Sequence, residues 1–393
     1  MTKSRGKVIV CHHYWDRVGG GERVDALVVK TLLEHGYEVS IVATTGFNWE
    51  NYRSWFNLDL GGIRIYTLLP RLLPAFGVYQ RALTWLPLMR AILKENPDIV
   101  WIDTDFYTLP YRLFKSSMRW INYIHFPTPE YRRELEYIEK YSKGLWKPYF
   151  EGFMLMSRLF AYKKPLGNVI CCNSAYIQRL CQRQYGVKPV VLHPPVGVKQ
   201  FLNPKETGRE NSIVMIGRVS PEKRYEEAIE ALFHTKTKPM LHIIGGLTPA
   251  KIGYYRFLQK TIKNFDLEKK VSVYIDLPLN EMLKLVKHAR ILLHTTHQEH
   301  FGISICEGMA AGCVPIVHKS GGPYQDIIDY GKYGLTYQTV DELAKTIDKI
   351  ILNPSLWRRY HRLAYNRAKE FDESKFRQNI INLFDSIQKI SSD

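Results

Sequence analysis

Residues 7–43 read KVIVCHHYWDRVGGGERVDALVVKTLLEHGYEVSIVA. Lys7–His12 is a short apolar run, the pattern of a strand buried on both faces. The glycines Gly19-Gly20-Gly21 make a loop after it. Glu22–Glu34 then sets Val24, Leu27, Val28, Thr31 and Leu32 at helical spacing, with Gly36 as a stop just past the end. Tyr37–Ala43 is a second apolar run. Two such runs joined by one helix predict a parallel pair of strands, because a parallel connection needs a crossover.

The alternation continues outward from this unit. Further strands are predicted at Asp98–Ile102, Trp120–Ile124, Asn168–Cys172 and Val190–Leu192. The second half repeats the pattern with Ser212–Ile216, Met240–Ile244, Val271–Ile275, Ile291–His294 and Val314–His318. Ser220 is placed to cap a helix opening at Pro221, in which Tyr225, Ala228, Ile229, Leu232 and Phe233 share a face. Other helices are expected at Pro249–Lys263, Asn280–Lys287, Ile303–Ala311 and Val340–Leu352, and beyond Asn353-Pro354 the chain reads as helical. The fold class is therefore α/β: two Rossmann-like, doubly wound domains facing a cleft. Adjacent prolines cannot continue a helix, so the boundary is expected near His193-Pro194-Pro195. The expected domains are 1–195 and 196–375, with a C-terminal helix, 376–393, packing back on the first. In open sheets of this class ligands bind beyond the carboxyl ends of the strands.

Composition narrows the partners. Among 393 residues, 55 Lys+Arg stand against 38 Asp+Glu, a net charge of +17. Such a surplus favours an anionic partner: nucleic acid, a sugar nucleotide or an anionic membrane surface. Hydrophobic residues at 45% and charged ones at 24% exclude a disordered or fibrous chain. Six cysteines without a CxxC pair read as buried thiols in a reducing compartment. Met1–Gly6 is too short and polar for a signal peptide, and no apolar run reaches the ~18–20 residues of a membrane span. A cytoplasmic location with peripheral membrane contact is expected.

Three segments carry chemistry. Gly19-Gly20-Gly21-Glu22-Arg23 lies between strand and helix, where glycine admits a close backbone approach and a helix start favours an anion. By itself it reads equally as a tight turn. Its spacing is not GxGxxG, and the second strand ends in Ala43-Thr44-Thr45 without an acid for a ribose. In Gly217-Arg218-Val219-Ser220-Pro221-Glu222-Lys223, Arg218 and Lys223 bring two cations to a strand end, which suits a diphosphate; solvated surface charge is the alternative. In Glu299-His300-Phe301-Gly302-Ile303-Ser304-Ile305-Cys306-Glu307, two glutamates flank a loop–helix junction and offer acceptors to a hydroxyl-rich ligand. Glu307 lies among small and apolar residues, where an unpaired carboxylate is costly. His125 ends one strand and Asp103 and Asp105 follow another at equivalent height; His125 is either a structural residue or a functional one. Walker A, GxSxG and zinc frames are all missing, and His12-His13 and His294…His297…His300 lack companion ligands.

These segments, in this order, resemble the retaining glycosyltransferases of family 4, which have the GT-B fold. The most specific element is the E-x7-E stretch Glu299–Glu307, followed by Met309-Ala310-Ala311-Gly312 and Ser320-Gly321-Gly322-Pro323. Within the family the chain looks most like the dolichol-pathway α-1,2-mannosyltransferases and their prokaryotic relatives. That likeness rests on His13…Gly19–Val24, Ile102-Asp103-Thr104, Tyr123–Thr128, Cys172-Asn173-Ser174, Pro194-Pro195-Val196 and Glu299–Ile303. One departure is that the eukaryotic enzyme begins with a membrane-spanning helix, which this sequence does not display. The resemblance implies a nucleoside diphosphate sugar as donor substrate, GDP-mannose first and UDP-glucose or another hexose donor second, with no metal and no further cofactor. It implies catalytic roles for His125, Arg218, Lys223 and Glu299. Donor binding would involve Gly20 and Gly21, the diphosphate partners Arg218 and Lys223, and Glu299, His300, Phe301 and Gly302 for the sugar. Glu307 would hold the ribose and His125 would contact the donor sugar.

The implied acceptor is a lipid-linked saccharide. Trp85–Arg90 and Leu145–Lys164 interleave aromatic, apolar and basic residues, as an anionic membrane surface requires; a core helix with snorkelling lysines has the same pattern. A nucleic-acid-binding protein is suggested by charge alone, with no recognition motif to support it, so no nucleic acid is expected. A non-catalytic sugar-nucleotide-binding partner is disfavoured by the joint presence of Arg218, Lys223, Glu299 and Glu307.

Overall fold

A computed structural model describes residues 4–16, 19–71, 73, 77–127, 144 and 146–389. The chain divides into two compact units: Met1–Pro195 with Phe376–Asp393, and Val196–Lys375.

The first unit holds a seven-stranded sheet: β1 (Lys7–Cys11), β2 (Glu38–Val42), β3 (Arg64–Tyr66), β4 (Ile99–Ile102), β5 (Arg119–Ile124), β6 (Val169–Cys172) and β7 (Val190–Val191). Every pairing is parallel and the order is β3-β2-β1-β4-β5-β6-β7. The strand sequences explain this. VIV, IVWI and INYI have apolar side chains pointing to both faces, so both must be covered. One face is covered by the helix Gly20–Glu34, whose Val24, Leu27, Val28 and Leu32 are buried. The helix Glu373–Lys389 joins it, with Phe376, Ile380, Phe384 and Ile387 in the same core. The Phe384 ring meets Tyr37 edge-on at 5.7 Å, and Arg377 pairs with Glu34. The helices Trp85–Glu95 and Thr108–Phe114 cover the other face through Leu88, Ala91, Ile92, Tyr111 and Phe114.

The second unit repeats the plan with six parallel strands: β8 (Glu210–Ile216), β9 (Met240–Gly245), β10 (Val271–Ile275), β11 (Ala289–His294), β12 (Val314–His318) and β13 (Leu335–Tyr337). Their order is β10-β9-β8-β11-β12-β13. Helices Tyr225–His234, Ile252–Asn264 and Val340–Leu352 pack on one face, and Ile303–Ala310 and Pro354–Ala368 on the other.

In each sheet the chain runs outward from the first strand and then reverses beside it, at β1/β4 and at β8/β11. Such a reversal opens a crevice at the carboxyl ends of the two central strands. Two edge strands, β3 and β13, escape the sequence pattern because each has only three residues and is partly exposed. One local expectation is corrected. Pro221–Lys223 is a 3-10 turn and the α-helix starts at Tyr225, after Arg224 in the left-handed region at φ 52°. Ser220 accepts no capping hydrogen bond there, and its hydroxyl donates to Glu222 Oε1 at 2.6 Å.

Candidate functional site

The reversal in the second sheet gathers the charged residues. β8 ends at Ile216 and is followed by Gly217-Arg218; β11 ends at His294 and is followed by the loop to Glu299. Lys223 Nζ lies 2.6 Å from Glu299 Oε2, and each side chain is 19% exposed. The other oxygen, Glu299 Oε1, accepts the His300 backbone N–H at 3.2 Å. His294 Nε2 is 3.4 Å from Oε2. Burial alone would raise the Glu299 pKa, but Lys223, His294 and His300 overcome it and hold the carboxyl well below its usual range. Burial lowers the His294 pKa, with Lys223 adding to that and Glu299 opposing it. Glu299 is therefore an ionised, acceptor-only group on a fixed loop.

The loop is fixed by close backbone contacts. Thr295 Oγ1 donates to the Lys223 carbonyl at 2.6 Å, and Gly322 N–H donates to the Glu299 carbonyl at 2.8 Å. A Cβ on Gly322 would lie 2.3 Å from the His300 carbonyl oxygen, and one on Gly321 2.4 Å from that of Glu299. Only glycine permits this approach. Gly302, at φ 103°, turns the chain into the helix Ile303–Ala310. The Phe301 ring is buried and meets Phe371 at 5.5 Å. Glu307 sits half-buried on the helix. Arg218 is 73% exposed, with Nη2 3.5 Å from Glu222 Oε1.

Behind this set, the His297 and His318 rings stack at 3.7 Å. Ser320 Oγ accepts the Gln298 N–H at 2.8 Å and lies 2.7 Å from His318 Nδ1. Burial and the neighbouring His297 push His318 down to about 4, so its ring is neutral at pH 7.

The reversal in the first sheet gathers a different set. Cys11 and Ile102 are register partners on β1 and β4, so the next residues, His12 and Asp103, emerge side by side. His12 Nδ1 is 2.8 and 2.7 Å from the two Asp103 oxygens. His125, one residue past β5, places Nε2 2.9 Å from Asp103 Oδ2. Asp103 thus accepts from two imidazoles. Asp25, on the helix Gly20–Glu34, comes within 3.3 Å of His12 Nδ1 and accepts from Trp101 Nε1 at 2.8 Å. His12, Asp25 and the Asp103 side chain are buried, whereas the His125 ring is 29% exposed. Burial opposes charge on His12, Asp25 and Asp103. Against that opposition, His12 and His125 hold Asp103 well below its ordinary pKa, and Asp103 in turn raises that of His12. Burial and then the Asp103 charge raise the Asp25 pKa well above its ordinary value, so Asp25 is a neutral acid. His13 is kept neutral by burial, Arg81 and His12.

Gly20 is the first residue of the helix Gly20–Glu34; Gly21 follows, beside His12 and His125, and a Cβ there would be 3.6 Å from each ring. His12, Asp25 and Asp103 are the partners that reasoning on the sequence did not assign. Asp25 carried a signal, being an acid inside the apolar run Val24–Val29. The donor atoms of His12, His13 and Asp103, and those of Asp25, Asp103 and His125, lie within 4.8 Å of one another, as metal ligands would. Both Asp103 oxygens already face ring nitrogens at hydrogen-bond distance, so a cation there would have to displace their protons.

Residues 18–200 match the family described as Glycosyltransferase Family 4, and residues 199–370 match Glycosyl transferases group 1. The chain belongs to these glycosyltransferases. This family 4 chain is 23% identical to the GDP-Man:Man(3)GlcNAc(2)-PP-Dol alpha-1,2-mannosyltransferase of Dictyostelium discoideum, over 93% of its length and 81% of the relative's. The Mus musculus protein of the same description is 28% identical, over 83% of this chain and 76% of that one. Among solved structures, Anabaena Alr3699/HepE in complex with UDP and glucose aligns over 97% of this chain and 100% of the other. Its TM-score is 0.69 at 15% identity. The sucrose-phosphate synthase of Thermosynechococcus elongatus aligns over 98% and 100%, with a TM-score of 0.73 at 14% identity. The two parallel sheets are those of the GT-B fold.

Proposed function

We propose that this glycosyltransferase moves mannose from GDP-mannose to a lipid-linked saccharide, with retention and without a metal, at the cytoplasmic face of a membrane. One observation carries the reading. Lys223 and Glu299 meet at 2.6 Å at the reversal point of the second sheet, in a chain similar over most of its length to GDP-mannose-dependent enzymes. Lys223 and Arg218 bind the donor diphosphate, the first as a fixed point charge and the second by closing its forked guanidinium on it. Glu299, held ionised, accepts from hexose hydroxyls beside the backbone of His300, Phe301 and Gly302. Glu307 holds the ribose.

In the transfer step the bond from the anomeric carbon to the diphosphate oxygen breaks, and its electron pair stays with the diphosphate. The acceptor hydroxyl oxygen attacks from the same face, and its proton passes to the departing oxygen. Lys223 and Arg218 stabilise the charge that develops there, which is where preorganised cations accelerate a reaction. Asp103, with His12 behind it, keeps a proton on His125 Nε2 and so fixes that ring.

Thermal stabilisation by GDP-, UDP- and dTDP-sugars tests the donor. A ligand at about 100 times its dissociation constant adds ~2.7 kcal/mol. A shift with GDP-mannose alone is expected; a shift with UDP-sugars alone replaces mannosyl transfer by the UDP-hexose reading. That second reading is favoured by the UDP and glucose bound in the Anabaena neighbour. No shift with any nucleotide from folded protein overturns both.

A further inference from the structure

The loop that carries Glu299 contains a backbone position that its own residue does not favour. Gln298 is exposed and sits in left-handed backbone at φ 53°, where a residue other than glycine is strained. Its N–H is taken by Ser320 Oγ, 2.8 Å away. Ser320 Oγ also lies 2.7 Å from Nδ1 of His318, the last residue of β12. The His318 ring lies flat against that of His297, at 3.7 Å and 16°. His297 directly precedes Gln298, so these four residues close a circuit around the turn that presents Glu299. The chain after Ser320 abuts the same turn, since a Cβ on Gly321 would lie 2.8 Å from the Glu299 nitrogen.

The circuit is tied to the diphosphate side of the site. His297 Nε2 stands 3.3 Å from Glu227 Oε2, and Glu227 also pairs with Arg224 and lies 3.4 Å from the Tyr337 hydroxyl. Tyr337, the register partner of His318 on β13, meets that ring edge-on at 5.4 Å. Arg224 follows Lys223, whose carbonyl accepts from Thr295 of the same loop. The His297 side chain is 34% exposed, so its stack buries little apolar surface. What the stack fixes is the loop.

We infer that His297, His318 and Ser320 are positioning residues for Glu299: they hold Gln298 in its left-handed turn and so aim the next carboxylate at the donor sugar. This role deepens the proposed function and rests on it for the hexose contact of Glu299. The three side chains touch no substrate and act through one loop.

Calorimetry of the full chain with GDP-mannose and with GDP tests this role, beside hydrogen–deuterium exchange of residues 295–302 without ligand and melting curves that show each variant folded. Ser320→Ala and His297→Ala should each raise the GDP-mannose dissociation constant by about three- to tenfold, the scale of one hydrogen bond or ring contact. The GDP constant should stay within about twofold, because the diphosphate cations are untouched. Ser320→Thr, which keeps the hydroxyl, should restore the unaltered value. In a Glu299→Ala background Ser320→Ala should cost nothing more, since the loop then has no carboxylate to aim. The loop amides should exchange faster in Ser320→Ala than in the unaltered chain. Equal weakening of GDP and GDP-mannose, an additive loss in the Glu299→Ala background, or unchanged exchange of the loop overturns the proposal. Should the unaltered chain take UDP-glucose instead, the same series is read with UDP-glucose and UDP. Faster loop exchange in a chain that binds no sugar nucleotide would fault the proposed donor and leave the brace standing.

Discussion

The two sheet reversals have the same backbone plan and opposite electrostatics. At β8/β11 the charges stand partly open to solvent. Lys223 and Glu299 neutralise each other at 2.6 Å, and Arg218 is largely free of its neighbours. At β1/β4 a carboxylate is sealed in and shared by two imidazoles, with a neutral acid beside it. An open ion pair can exchange partners with an entering ligand at little cost. A sealed network cannot, because each member loses its only compensation for burial. The first arrangement suits binding and the second suits holding one ring, His125, in one orientation.

The largest effect expected from this contrast is catalytic and lies in the open set. Lys223→Ala should lower transfer by about 10²–10³-fold or more, the scale of losing one preorganised charge at a leaving group. Glu299→Ala should abolish transfer as well. Circular dichroism should show both variants folded, and full turnover by either would break the site assignment. The sealed set should respond in the other currency. Asp103→Asn is expected to cost about 3–5 kcal/mol of unfolding free energy, since it leaves buried imidazoles without their anion. A urea titration that finds under 1 kcal/mol would erase the distinction drawn between the two edges.

Acid sharpens it further. Asp103 and Glu299 have folded pKa values below their ordinary 3.8 and 4.5, so both contribute stability above those values and lose it as pH falls through the folded ones. His12 runs the other way: its raised pKa contributes below 6.5 and is lost as pH rises through the folded value. His318, pushed down to about 4, takes up protons more readily unfolded than folded, so stability should fall as pH drops from 6.5 towards 4. Solvent screening of its part-exposed ring leaves about 1–2 kcal/mol of that effect. His318→Gln should flatten this limb of a melting-temperature profile, and an unchanged slope would remove His318 from it. The smallest effect belongs to Arg218→Ala. Its exposed pair should change stability by less than about 0.5 kcal/mol, while donor affinity, read by calorimetry, should fall clearly.

The α/β class and the parallel sheets were legible because an apolar run bounded by glycine and a helical repeat is a local signal. The strand Lys7–Cys11 and the helix Gly20–Glu34 lie close to where the spacing of Val24, Leu27 and Leu32 places them. β3 and β13 were not legible, since three half-exposed residues have no pattern of their own. The helix after β8 starts late because the chain first makes the 3-10 turn Pro221–Lys223 and then passes through left-handed backbone at Arg224, a choice that propensity does not register. Among site residues, Arg218, Lys223, Glu299 and Glu307 stood out as charges on a contiguous glycine-punctuated frame.

The sequence by itself thus determined which stretches become strands and helices, the surplus of cations and the motifs of the second unit. All of these depend on neighbours a few residues away. Only the tertiary structure decided that His12, Asp25, Asp103 and His125 form one network, since up to 113 positions separate its members (125 − 12). His12 and Asp103 meet because β1 and β4 pair in register and end together; β5 runs on past Asn122, the partner of Ile102, to bring His125 to Asp103, and Asp25 comes from the helix Gly20–Glu34. The same packing chose which leucines of the helices Trp85–Glu95 and Thr108–Phe114 turn to the core and which stay exposed. Burial is a property of the pairing of elements, and no single segment carries it.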